Sequence, residues 1–252
     1  SDWSSDVCSS DLDFYFNFYA PNNAILVVAG DVETEQIKRL AEKWFGPIPR
    51  RNTRKDILPV EPKQQIPQML EIERNVPLNT IYKAYHMGDR LSNNYYTCDL
   101  ISDILSNGVS SRLTQHLVKQ QNKFTDLNAY ILGSVDPGLF IIEGTPNDGV
   151  SFDEANELII NELENIWKAP ISETELTKVK NKIEMTKVIS EVNVLNKAMN
   201  LAYYEMLGNI DLINNEIARY QQITRNDIET TAKETFTPNN SSTIYYKSAQ
   251  NN

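Results

Sequence analysis

The dozen residues Ser106–Leu117, reading SNGVSSRLTQHL, bring together a glycine turn, adjacent serines, an arginine and a histidine. Three chemistries fit those residue types: a serine nucleophile, an anion cradle, or a helix start. A nucleophile elbow needs G-x-S-x-G on a strand-to-helix turn and a histidine brought in from elsewhere as base. Here a helical pattern precedes the turn and the second glycine is missing. His116 follows Ser110 and Ser111 on the same helix, at spacings that put the side chains on different faces. A glycine turn leading into a helix offers free N–H groups to an anion, but the lysine and glycine spacing of a phosphate loop is lacking. The structural reading is stronger. Asn107-Gly108 ends one helix, Ser110 caps the next, and Leu113 and Leu117 pack inward. Gly108, Ser110, Ser111, Arg112 and Leu113 form a helix–turn–helix corner, and Ser111→Ala is expected to change stability little.

No other pattern nominates a catalytic residue or a metal ligand. The histidines are His86 and His116, with no H-x-x-E-H, H-x-x-H or cysteine pair around them, whereas zinc requires three or four placed ligands. Acidic pairs such as Asp126 or Glu143 with Glu154 are expected by chance among 34 acidic residues, so spacing alone names no dyad. Cys8 and Cys98 read as free thiols.

These residues sit in a chain of 252 with 40% hydrophobic and 23% charged residues, an ordinary balance for a globular protein. A net charge of −10 argues against nucleic acid or an anionic membrane as the main partner. No apolar run approaches the roughly 18 residues of a membrane span. The leader SDWSSDVCSSDL has neither helical nor strand period and resembles a translated sequencing-adapter scar, so residues 1–12 are set aside. NAILVVAGDV reads as a buried strand closed by Gly30-Asp31, and Ile37, Leu40, Ala41 and Trp44 mark one stripe of a helix stopped by Gly46-Pro47. Residues 51–67 are a proline-rich, charged linker.

Beyond the linker, MLEIER and NTIYKAYHM predict two strands, residues 93–106 a helix, and DLNAYILGS with GLFIIEGTP a strand pair. Ser151 with Glu154, and Ser172 with Glu175, are S-x-x-E capping boxes ahead of long amphipathic helices. Further helices are predicted near 191–207, 211–221 and 225–235, and SSTIYYKS closes the chain as a strand. The order is α+β rather than a strict βαβ alternation.

Three segments together resemble the pitrilysin/insulinase zinc metallopeptidases, which include the mitochondrial processing peptidases. FYAPNNAILVVAGDVETEQIKRLAEKWFGPIP is similar to the end of that family's catalytic lobe, LISDILSNGVSSRLTQHLVKQ to the corner of the following lobe, and APISETELTKVKNKI to a later helix start. The resemblance implies a mitochondrial-processing-peptidase/LuxS-like metallohydrolase lobe, an antiparallel sheet covered by helices, over residues 68–252. Residues 13–50 would be the end of a first, similar lobe. It makes the serine-arginine corner a lobe hallmark rather than a nucleophile.

The family's chemistry uses H-x-x-E-H and a distal glutamate to hold zinc, with the motif glutamate as general base. None of these is present, so zinc belongs to an intact parent and no cofactor to this chain. Active members also supply an arginine directly after the SSRL-x-x-x-L turn and a tyrosine seven residues later, which bind the substrate backbone and stabilise the oxyanion. Those positions fall on Val118 and Thr125, and Tyr130 does not match the spacing. Two readings follow. In one, the chain is the C-terminal, non-zinc-binding part of a zinc endopeptidase, forming the chamber and peptide-binding wall of a two-lobe clamshell or dimer. In the other it is a non-catalytic scaffold or partner subunit of a family heterodimer. By resemblance the compartment is the bacterial periplasm. Exposed apolar surface is expected where the preceding half-lobe would pack.

Overall fold

The computed structural model describes the backbone of residues 3–53 and 59–249, with side chains from Ser10 onward. Residues 54–58 of the predicted linker and the side chain of Cys8 lie outside the described residues. By packing, the chain divides into two units. One comprises Ser1–Pro62 with Thr186–Asn215, the other Lys63–Met185 with Glu216–Asn252.

The first unit is helical. Residues 3–18 form α1 (Trp3–Phe18), contrary to the aperiodic reading of the leader. The stretch before Pro21 contains neither glycine nor proline, so nothing interrupts the i→i−4 ladder, and the helix runs through residue 12 without a break. The apolar run after Asn23 is extended but forms no strand: Ala24 is in the β region, and no described strand pairs with residues 24–29. Its composition is that of a buried strand, yet Ile25, Leu26 and Val28 are exposed. The stripe predicted for α2 (Thr34–Phe45) is only partly covered: Ile37 and Ala41 are half-buried, while Leu40 is exposed and Trp44 is 64% exposed. Arg51 closes the far end of the segment, where its backbone N–H and C=O pair with the Asn22 side chain at 3.0 Å each. α6 (Val194–Met206) belongs to this unit too and is capped by Asn193.

The second unit is built on five strands: β1 (Gln68–Arg74), β2 (Thr80–His86), β3 (Phe124–Leu132), β4 (Leu139–Pro146) and β5 (Ser241–Ser248). Their spatial order is β1-β5-β2-β4-β3. Pairings β2–β4, β2–β5 and β3–β4 are antiparallel as expected, while β1 runs parallel to β5, so the sheet is mixed. Alternation in β2 sends Ile81 and Tyr85 to the core face and Tyr82, Ala84 and His86 to the other. Phe140 and Ile142 of β4, and Leu127 and Ala129 of β3, join the core face.

The helices of this unit cover that face. α3 (Asn93–Ser106), begun by Ser92, whose hydroxyl accepts from Tyr95 N–H at 3.2 Å, buries Leu100, Ile101, Ile104 and Leu105. α4 (Phe152–Lys168) buries Ile159, Leu163 and Ile166, and α8 (Arg225–Thr235) buries Ile228 and Ala232 while packing on both α3 and α4. α5 (Glu173–Ser190) and α7 (Leu212–Gln222) complete the helices. From α7, Tyr220 donates to Asp99 of α3 at 2.5 Å and Glu216 forms a buried ion pair with Arg90.

Within this apolar face lies Lys83, 3% exposed, whose ammonium donates to Asn156 Oδ1 at 3.0 Å and Thr243 Oγ1 at 3.1 Å. Burial lowers its pKa from 10.5 to about 8. Between those values the unfolded chain holds a proton that the folded chain has released, so stability rises with pH. Above about pH 10 buried Tyr85 opposes this, because burial raises its pKa and the unfolded chain loses that proton first. The Cys98 thiol, also raised by burial, opposes the climb from about pH 9, so the urea midpoint is expected to climb from pH 8 to about 9, and Lys83→Met should flatten the climb. An equal climb in the variant would assign it to another group.

Candidate functional site

The corner is where the structure joins two of the sequence motifs. α3 ends at Asn107, and Gly108 adopts φ +101°, a left-handed conformation that explains the glycine. Ser111, not Ser110, begins the next helix: its carbonyl accepts from Gln115 N–H, and its buried hydroxyl donates to Gly108 O at 2.7 Å and lies 2.9 Å from Thr114 Oγ1. That hydroxyl contributes about 1 kcal/mol, more than the sequence suggested. Ser110 instead accepts the Lys178 ammonium at 2.9 Å. Leu113 and Leu117 are fully buried, as their spacing indicated. The helix then widens into a π-helical stretch over Thr114–Gln120, closed by Asn122 at φ 51°.

Arg112 holds the corner. Its Nε and Nη2 donate to the two oxygens of Glu175 at 2.9 and 3.0 Å, a bidentate pair, and Nη1 reaches the carbonyls of Asn165 and Ala169 at 3.2 and 3.3 Å. One guanidinium thus ties the SSRL turn to the end of α4 and the first turn of α5. Glu175 cannot then serve the capping box foreseen for it. Ser172 caps α5 with its hydroxyl, accepting from Glu175 N–H at 3.1 Å, and the glutamate turns away to Arg112. Ser151 and Glu154 behave alike, the glutamate taking the Lys123 ammonium at 2.7 Å. A complete reciprocal box does form at Thr224 and Asp227, a T-x-x-D pattern outside S-x-x-E.

The structure places no nucleophile beside a base here. His116 Nδ1 lies 2.9 Å from Glu162 Oε2, and the serines face other partners. Val118 packs half-buried against the core, and Thr125 donates to Asn147 at 2.7 Å, so neither reproduces the arginine and tyrosine of active members. Among the described residues no group of three or more His, Cys, Asp or Glu side chains is placed to hold a metal, and these residues do not fit a zinc site. Cys98 is buried and its thiol pushed up to about 12, which makes it inert. No helix among the described residues is long and apolar enough to cross a membrane.

The second face of the sheet is a different kind of surface, and it gathers residues the motifs did not reveal. Glu143 of β4 stands opposite Tyr82 of β2 and Asn128 of β3, with Tyr130 diagonal to it. Tyr82 donates to Glu143 Oε1 at 3.1 Å and Tyr130 to Oε2 at 3.3 Å. Desolvation first, then the bond to Glu143, raises the Tyr82 pKa. Desolvation followed by the Glu143 charge does the same for Tyr130, so both phenols remain donors at neutral pH. Leu70 and Leu132 are exposed on the same face at its two edges, and Ile141 and Ile244 are half-buried between them. The period-two alternation of the strands was the signal that could have found this set.

The family model described as the peptidase M16 inactive domain matches residues 12–183. The zinc protease PqqE of Helicobacter pylori is 23% identical over 239 residues, covering 93% of this chain and 53% of its own length. The chain therefore spans about half of that curated relative. A protease structure from Helicobacter pylori superposes with a TM-score of 0.85 at 22% identity, over 98% of this chain and 60% of that one. The periplasmic protease PqqL of Escherichia coli gives 0.75 at 16% identity, over 96% and 28%.

Two substitutions test the corner by chemical denaturation. Leu113→Ala, a fully buried truncation, is expected to cost about 2–5 kcal/mol. Arg112→Ala should cost about 2–3 kcal/mol through its charged hydrogen bonds, with little recovered in Arg112→Lys, which cannot span both Glu175 oxygens. Wild-type stability in Arg112→Lys would show that the two-pronged contact is dispensable.

Proposed function

The chain belongs to the peptidase M16 inactive-domain family, and on that premise we propose that it is the C-terminal, non-zinc-binding part of an insulinase/pitrilysin-type zinc endopeptidase. Its free sheet face would form the wall of the substrate chamber and bind peptide. The supporting observation is the one-sided sheet: helices take the core face, while Tyr82, Glu143 and Tyr130 stand half-exposed or exposed on the other. An extended peptide fits such a face because apolar and hydrogen-bonding side chains alternate across it.

In this reading residues 13–50 complete a preceding catalytic-type lobe, 51–67 link the lobes, and 68–252 form the C-terminal lobe. The zinc and its ligands belong to that preceding lobe or to a partner subunit, in a clamshell or dimer. Uncovered Trp44 and Leu26 mark apolar surface that such a lobe would bury. The likeness to a periplasmic protease supports a periplasmic setting.

The test is to purify the chain, measure bound zinc, and assay a fluorogenic peptide with and without an M16 zinc-binding lobe. Alone, the chain should bind substoichiometric zinc and leave the peptide intact. With the lobe it should raise zinc-dependent hydrolysis, and Tyr130→Ala should then raise KM more than it lowers kcat. One tightly bound zinc per chain would overturn the assignment. A stable complex with no gain in hydrolysis would instead favour the scaffold reading.

A further inference from the structure

The arrangement at Glu143 carries the peptide-wall reading to a substrate class, and it rests on that reading. Each Glu143 oxygen accepts one phenol, Tyr82 on one side and Tyr130 on the other. A carboxylate oxygen has a second lone pair, which these bonds leave open. Among the described residues Glu143 has no ion-pair partner, although it sits at the middle strands of the sheet rather than at its rim. The basic groups of this face stand elsewhere. His86 is four residues along β2 from Tyr82, about 13 Å away at the strand repeat, and Arg74 is at the end of edge strand β1, bonded to the Glu73 carbonyl.

Two neutral phenol donors orient the carboxylate without neutralising it. An aromatic ring face attracts a cation, and this patch brings two rings beside one carboxylate. We propose that Tyr82, Glu143 and Tyr130 form a subsite for a cationic side chain, arginine or lysine, of an extended peptide lying across the sheet. The carboxylate would pair with the incoming charge while an aromatic ring stacks along it, an arrangement that suits a planar guanidinium especially well. The chain's net charge of −10 adds a long-range attraction for basic peptides, but only the subsite distinguishes one position in the peptide from the next.

The full chain is titrated by fluorescence anisotropy with two labelled unstructured peptides, identical except for a central arginine or its neutral isostere citrulline. The arginine peptide should bind roughly tenfold tighter at low salt. Glu143→Gln should abolish that preference, and Tyr130→Phe should reduce it. Equal binding of both peptides would leave the wall reading standing and overturn the subsite. Failure of both to bind would overturn the wall reading and the subsite with it. A preference unchanged in Glu143→Gln would also overturn the subsite. If Glu143→Gln does not fold, as judged by its thermal transition, the Tyr82→Phe and Tyr130→Phe double variant decides in its place.

Discussion

The second unit depends on a constraint of period: a strand's side chains alternate, and here only one set of alternates is covered. Ile81 and Tyr85, Phe140 and Ile142, Leu127 and Ala129 all fall on the face that α3, α4 and α8 bury. Register then fixes the opposite set, because a slip of one residue would exchange them wholesale. Tyr82, Glu143 and Tyr130 are brought together by the same pairing that packs the core. Site and stability are thus two sides of one ladder. A substitution on the free face leaves the hydrophobic contacts intact, which allows that face to vary in chemistry without disturbing the fold.

The serine-arginine corner answers a separate need. Three helical segments meet where α3 ends, the π-helical stretch begins and α4 passes to α5, leaving carbonyls of Asn165 and Ala169 to be satisfied. A planar guanidinium can donate to both and still span a carboxylate, which no other side chain does. The pairing also explains why the glutamates of the S-x-x-E patterns are not spent on their own caps. Glu175 and Glu154 each sit in a first helical turn, where negative charge is already favourable, and each is drawn to a cation from another element.

Most elements of the second unit were legible because their signals are local. α3 runs over the residues expected, 93–106, and ends at Asn107-Gly108, and the turn at Asp136-Pro137-Gly138 joins β3 to β4. What escaped depended on partners far along the chain. The parallel pairing of β1 with β5 joins residues more than 170 apart, and no turn residue announces it. The strand expected after Asn23 failed for the complementary reason: its composition asks for neighbours on both sides, and none of the described strands supplies them. The helix starts at Ser111 rather than Ser110 because the Ser111 carbonyl accepts from Gln115 N–H and its hydroxyl turns back to Gly108, a choice that spacing does not encode. Alternation along each strand could place Tyr82, Glu143 and Tyr130 on one face, but bringing them side by side needs the register of three strands.

The position of β5 has a consequence for how the protein is made. This strand lies between β1 and β2, hydrogen-bonded to both, yet it is the last of the five to be synthesised. Until it arrives, β2 can pair with β4 while β1 has no neighbour at all. Before β5 emerges, the edges of β1 and β2 that it will join are both unpaired. Such edges would accept a strand from another nascent chain as readily as β5, and a chaperone that shields unpaired edges would be needed most during that interval.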